Sequence, residues 1–92
     1  MVNDAGRFLV RCRVSRGFFD GELLVMVAGS SAYVSRDNVK LLAELNTGEV
    51  DGQVAAYLIQ QSGDRALIEL PGQPVVGGAR TWVPASDLSA TA

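Results

Sequence analysis

Along Phe8-Leu-Val-Arg-Cys-Arg-Val14 apolar and polar positions alternate: Phe8, Val10, Cys12 and Val14 fall on one side, and Leu9, Arg11 and Arg13 on the other. A period of two with β-branched residues is the pattern of a half-buried strand. Ser15–Gly21 carries Gly17, Asp20 and Gly21 and predicts a turn. Glu22–Ala28 is a nearly unbroken apolar run, which predicts a second strand buried on one face and partly on the other. Gly29–Ser31 reads as a tight turn and Ala32–Val34 as a short third strand. Ser35–Leu45 admits two readings. Ser35 is a good N-cap type, and Val39, Leu42 and Ala43 have helical spacing, which predicts a short helix within residues 36–45. The same letters read equally well as a turn at Ser35–Asn38 followed by a strand from Val39 to Leu45. Asn46–Gly52 has loop composition.

Beyond it, Gln53–Gln60 predicts a strand with Val54, Ala56 and Leu58 on one side, and Arg65–Leu70 predicts its return with Ala66, Ile68 and Leu70 on one side. The short polar Gln61–Asp64 between them makes the pair a hairpin. Pro71–Gly78, with two prolines and three glycines, reads as a loop. Ala79–Pro84 is the last long strand, and it ends at Pro84 because proline has no N–H for a ladder. Residues 1–7, small and polar, read as a frayed end.

The pattern recurs within the chain. Val10–Val14 matches Val54–Leu58 at an offset of 44, Glu22–Val27 matches Arg65–Leu70 at 43, and Ala32–Val39 matches Thr81–Leu88 at 49. The extra residues of the last offset fall in Pro71–Gly78. Two similar halves, 8–45 and 50–90, would be too small to bury a core alone, so they would pack as one domain over 1–92. In that scheme Tyr33 and Trp82 hold corresponding places, where rim aromatics line a binding site or lid the core.

The expected fold class is all-β: a small antiparallel barrel, SH3-like or built of two similar halves, with room for one short helix near 36–45. Arg80-Thr-Trp-Val-Pro-Ala-Ser-Asp-Leu88 resembles the end of an SH3-like barrel, in which a strand runs to aromatic-aliphatic-proline, then one 3₁₀ turn and a short closing strand. The resemblance places Trp82, Val83 and Pro84 in the strand, Ala85–Asp87 in the turn and Leu88 in the closing strand. Together with the preceding hairpin segment Ala66–Gly72, which also suits that fold, it covers about a quarter of the chain. Neither an acidic loop with a tyrosine signature nor a tryptophan pair is present, so the peptide groove of eukaryotic SH3 domains is not carried over.

Composition narrows the chemistry. The 92 residues contain no histidine and a single cysteine, which removes the commonest general base, the usual nucleophilic triads and the common zinc sites. Cys12 falls on the apolar side of its strand, where a thiol is an inert core residue. The carboxylates are scattered, with no calcium-loop spacing and no glycine-rich phosphate cradle after a strand. No catalytic residue, metal or cofactor is expected. A net charge of −2 argues against a surface built for phosphates. No apolar run approaches the ~20 residues of a membrane span, and the first residues lack a basic-then-apolar leader, so the expected location is cytoplasmic and away from the membrane.

What remains points to binding. Phe18 and Phe19 are adjacent in a turn, so they cannot both enter one core; either one stays exposed as an anchor or each caps one end of the barrel. If Leu23, Val25 and Val27 point inward, Leu24 and Met26 point outward, as do Leu67, Tyr57 and Ile59 on the other hairpin. Burying five such side chains is worth several kcal/mol at ~25 cal/mol per Å². The 36–45 segment, the other half of the chain or a second copy would cover them. Arg7, Arg11, Arg13 and Arg16 form a basic stripe, either a patch for anions or a solvated face paired with acids such as Glu22 or Glu69. The expected function is therefore a non-catalytic module that binds a protein or its own copy. The alternative is a small barrel that binds nucleic acid through Arg11, Arg13 and Arg16. A third class, an enzyme whose site is assembled at an oligomer axis, would need residues gathered by symmetry.

Overall fold

The computed structural model describes residues 6–46 and 48–90. The alternating segments become strands β1 (Arg7–Arg16), β2 (Glu22–Val27) and β3 (Ser30–Ser35), then a one-turn 3₁₀ helix Arg36–Asn38 and the short β4 (Val39–Leu41). The second half gives β5 (Val50–Ser62), β6 (Arg65–Glu69), β7 (Gln73–Val76), β8 (Arg80–Pro84), a 3₁₀ turn Ala85–Asp87 and β9 (Leu88–Ala90). All pairings are antiparallel. One sheet runs β7-β3-β2-β1-β5-β6-β8, and it curls because β4 returns to β5 and β9 returns to β1. Residues 1–5, most of the expected frayed end, lie outside the described residues; Arg7 is already in β1, opposite Tyr57.

The concave face is the core. Val10, Val14, Leu23, Val25, Val34, Val54, Ile68 and Val83 are fully enclosed there. Val10, Val14, Leu23, Val25, Val54 and Ile68 are inward positions assigned by alternation, while Val34 and Val83 lie on strands whose faces the sequence reading left unassigned. Leu41, Leu45, Val50 and Leu88 pack against the rim of this cluster.

The offsets read from the sequence reappear in the pairing. Val10 lies opposite Val54, its counterpart 44 residues on. Leu23 pairs with Val34, and the positions 43 and 49 later, Ala66 and Val83, pair likewise. Val39 returns to Val54 as Leu88 returns to Val10. Even the entry to each 3₁₀ turn is shared: the Arg36 N–H donates to the Gly21 carbonyl at 2.8 Å, and the Ala85 N–H to the Asp64 carbonyl at 2.7 Å. Each half therefore lends its last short strand to the long strand of the other half, and neither completes a core without it.

Two expectations are corrected. Of the two readings of Ser35–Leu45 the turn followed by a strand is the one found, with the strand ending at Leu41 and not at Leu45. The helix within 36–45 is only a 3₁₀ turn of three residues, capped by the Ser35 Oγ accepting from the Asp37 N–H at 3.3 Å. The chain is extended from Val39 because β5 offers a ladder there, which outweighs local helical spacing over so few residues. It consequently does not cover the outer face of the sheet. The Pro71–Gly78 loop contains β7, which pairs with β3 (Tyr33 opposite Gln73, Ser31 opposite Val76) with Val75 as the extra residue of a bulge. Glycines at both ends make this docking possible. Gly72 sits at φ +85, and a Cβ there would fall 2.1 Å from the Tyr33 carbonyl oxygen. Gly77 sits at φ +76, 2.7 Å from the Gly29 carbonyl oxygen by the same measure.

Candidate functional site: the outer aromatic face

Around residue 18 the chain has no choice but to point outward. Gly17 and Glu22 close the β1–β2 loop, with the Gly17 N–H donating to the Glu22 carbonyl at 3.2 Å and the Glu22 N–H to the Phe19 carbonyl at 3.2 Å. A Cβ at Gly17 would sit 2.6 Å from that Glu22 oxygen, and Gly21 holds φ +82. The loop is thus pinned by glycines, and Phe18 and Phe19 project from it 80% and 74% exposed. Neither caps the core, which overturns that alternative. Phe18 instead leans on Tyr33, with ring centroids 5.4 Å apart and planes tilted by 41°. Tyr33 stands across from Leu24 on the convex side of the β2–β3 pair. Phe18, Tyr33 and the half-buried Leu24 form one apolar patch, and Phe19 is the next residue of the same loop.

The second half carries the matching pair, Leu67 across from Trp82, with Trp82 37% exposed beside a shallow hollow shared with Ser62 and Arg65. Tyr33 and Trp82 are not brought together along the sheet: β2, β1, β5 and β6 lie between their strands. Tyr57 is exposed and covered in part by the Arg7 guanidinium, 5.5 Å from its ring centre. Ile59, expected on the same face as Tyr57 and Leu67, is the extra residue of a β5 bulge, so Gln60 is the residue opposite Leu67. Ile59 is 40% exposed at that bulge. Met26 is half-buried, paired with Ser31 on one side and Arg13 on the other. Leu24, Met26 and Leu67 are thus each partly covered by cross-strand neighbours.

The arginine stripe is largely engaged, Arg13 by acids other than Glu22 or Glu69 and Arg16 and Arg7 by asparagine oxygens. Arg13 Nη1 donates to Asp51 Oδ1 at 2.8 Å, its Nε to Glu49 Oε1 at 3.4 Å, and its Nη2 to the Glu49 carbonyl at 3.2 Å. The hydrogen bonds it donates to Asp51 and then to Glu49 hold the guanidinium charged even above its ordinary range. Arg16 Nε donates to the Asn46 carbonyl at 2.9 Å, and Arg7 Nη2 to Asn38 Oδ1 at 3.2 Å. Arg11 is exposed on the same strand.

Comparison with protein-family models, with curated proteins and with solved structures finds no match. The site is therefore read from its own geometry.

Cys12 is buried, and its thiol is pushed up to about 12, first by burial and then by the charge of Asp51. A thiol held protonated is a poor nucleophile and a poor metal ligand. Among the described residues no three acidic, cysteine or histidine side chains stand close enough to hold a metal ion. No helix among them is long and apolar enough to cross a membrane. Sequence reasoning missed Val75 and Val76, exposed on β7 at the margin of the sheet. Their signal was there: two β-branched residues in a row, hidden by flanking prolines and glycines.

Proposed function

We propose that this chain is a non-catalytic binding module whose partner is a protein, and that the partner docks on the convex face at Phe18, Phe19, Tyr33 and Leu24. The observation that supports it is the exposure of two adjacent phenylalanines on a glycine-pinned loop, with one of them leaning on a tyrosine. Burying both rings against a partner would contribute several kcal/mol at ~25 cal/mol per Å². Aromatic anchors on a rigid frame are the usual centres of protein interfaces. The SH3-like resemblance of Trp82–Leu88 belongs to the same proposal, since β8, its 3₁₀ turn and β9 follow one another in that order. Binding of nucleic acid has less support, because Arg13 and Arg16 are engaged by Asp51, Glu49 and Asn46.

A photo-reactive phenylalanine analogue at position 19 tests the proposal in extract of the source cells. A defined protein cross-linked at position 19, and lost on Phe18→Ser, is the expected result. Equal cross-linking from position 19 and from an exposed control position, Gln61, would refute it.

A further inference from the structure

The two halves differ in one respect that has a consequence for assembly. On β3 the outward-facing edge carries β7, but among the described residues the equivalent edge of β8 ends the sheet. Hydrogen bonding shows which backbone groups that edge presents. The Leu70 N–H donates to the Ala79 carbonyl at 2.8 Å and the Ala85 N–H to the Asp64 carbonyl at 2.7 Å, so the even-numbered residues of β6 face β8. Antiparallel ladders alternate, and Val83 and Thr81, opposite Ala66 and Ile68, spend their backbone groups on β6. Those of Arg80 and Trp82, and the carbonyl of Pro84, face outward. In the first half the corresponding residues, Ser31 and Tyr33, are the ones that face β7.

We infer that β8 pairs with β8 of a second copy, antiparallel across a two-fold axis at Trp82. This deepens the reading of the chain as a protein-binding module, and it names the partner at this edge. A two-fold contact closes both free β8 edges at once, whereas pairing β8 with the β7 edge of a single other copy leaves one β8 edge open. Centred on Trp82, it sets Trp82 opposite its own copy and Arg80 opposite the other Pro84. The Trp82 N–H and carbonyl exchange two bonds across the axis, and each Arg80 N–H donates to the Pro84 carbonyl of the other copy. Pro84, which has no N–H to offer, sits where the pairing stops. No like charges face each other, because Arg80 Nε is held by its own Glu69 at 3.0 Å. The two Trp82 rings, with Leu67 behind each, then meet on the convex face as a cross-strand aromatic pair. A five-residue edge buries less than a standard interface, so the dimer is of modest affinity and assembles at micromolar concentrations.

The test is sedimentation of the wild-type chain from about 5 to about 500 μM, with amide exchange read at both ends. The expected result is a dimer at the upper end, with Trp82 amide exchange slowed about tenfold or more and the emission of this sole tryptophan shifted. Trp82→Glu, which sets two carboxylates face to face, and Arg80→Pro, which removes an outward N–H and leaves the β6 ladder intact, return the chain to monomer. Val75→Glu on the β7 edge leaves the dimer unchanged. A monomer at the highest concentration overturns the inference, as does a dimer in which the Trp82 amide exchanges freely. The wild-type exchange measurement decides the matter even if a variant does not fold. A monomer that still cross-links a partner at position 19 removes the β8 pairing alone and leaves the docking at Phe18 and Phe19 standing.

Discussion

Gly52→Ala, alone and with Val14→Ala, tests how tightly the two halves are locked. Gly52 lies on β5 where the sheet is most crowded: Cys12 of β1 pairs with it on one side and Leu41 of β4 on the other. A Cβ there would sit 2.8 Å from Val14 Cγ2 and 3.1 Å from the Lys40 carbonyl oxygen. The first distance is far inside van der Waals contact, and Val14 is itself fully buried, so it has nowhere to go. Overpacking of this kind costs about 1–3 kcal/mol. Replacing a strand glycine by alanine returns roughly 0.5–1 kcal/mol. The net expectation for Gly52→Ala is a loss of up to about 2.5 kcal/mol. Val14→Ala removes both γ-methyls, at about 0.8 kcal/mol each plus the void they leave, or about 2–3 kcal/mol. It also removes the clashing atom. The double variant should therefore be more stable than the sum of the single losses implies, by about 1 kcal/mol. Urea melts of the four proteins give the coupling directly, provided their m-values agree. Each kcal/mol corresponds to about 4–8 °C in Tm for a domain of this size, so heating gives an independent check. Additivity within about 0.5 kcal/mol, or a stabilising Gly52→Ala, would refute the proposed close approach.

Four further outcomes follow from single residues. Ala28 holds φ +52 at the first position of the two-residue β2–β3 turn, where both favoured hairpin turns need a positive φ; Ala28→Gly should raise stability by up to about 1 kcal/mol in a melt, and a loss would contradict that backbone. The Cys12 thiol keeps its proton in the folded state up to about 12 against an ordinary 9.0, so its contribution is complete below pH 9 and fades as pH rises towards 12. Near pH 10.5 the wild type should lose about 2 kcal/mol more than Cys12→Val, relative to each protein near pH 8, and equal losses would place the thiol in solvent. Phe19→Ser should leave the melt within about 0.5 kcal/mol of wild type, and Phe18→Ser should cost about 1 kcal/mol through its contact with Tyr33. Losses above about 2 kcal/mol would show that these rings hold the fold together and are not a free surface.

The sequence by itself determined which residues are inside. Period-two alternation is a local property, and Val10, Val14, Val25, Val54 and Ile68 all lie on the enclosed side it assigned them. The ending was legible for the same reason: Pro84 cannot continue a ladder, so β8 stops there and a 3₁₀ turn follows. The offsets between the halves were legible as pattern. Three things were decided only in three dimensions. Val39–Leu41 is a strand because β5 stands ready to pair with it, a fact about residues about fifteen positions away that helical spacing cannot encode. Gln73–Val76 is a strand because the β3 edge was open, although prolines and glycines gave it the look of a loop. The places of Phe18 and Ile59 depended on a glycine-closed turn and a one-residue bulge, which change the direction of a side chain without changing the hydrophobic pattern. Alternation tells each residue which face it belongs to, but pairing partners are chosen by backbone groups that all residues share, and only the folded sheet shows which of those groups are still free.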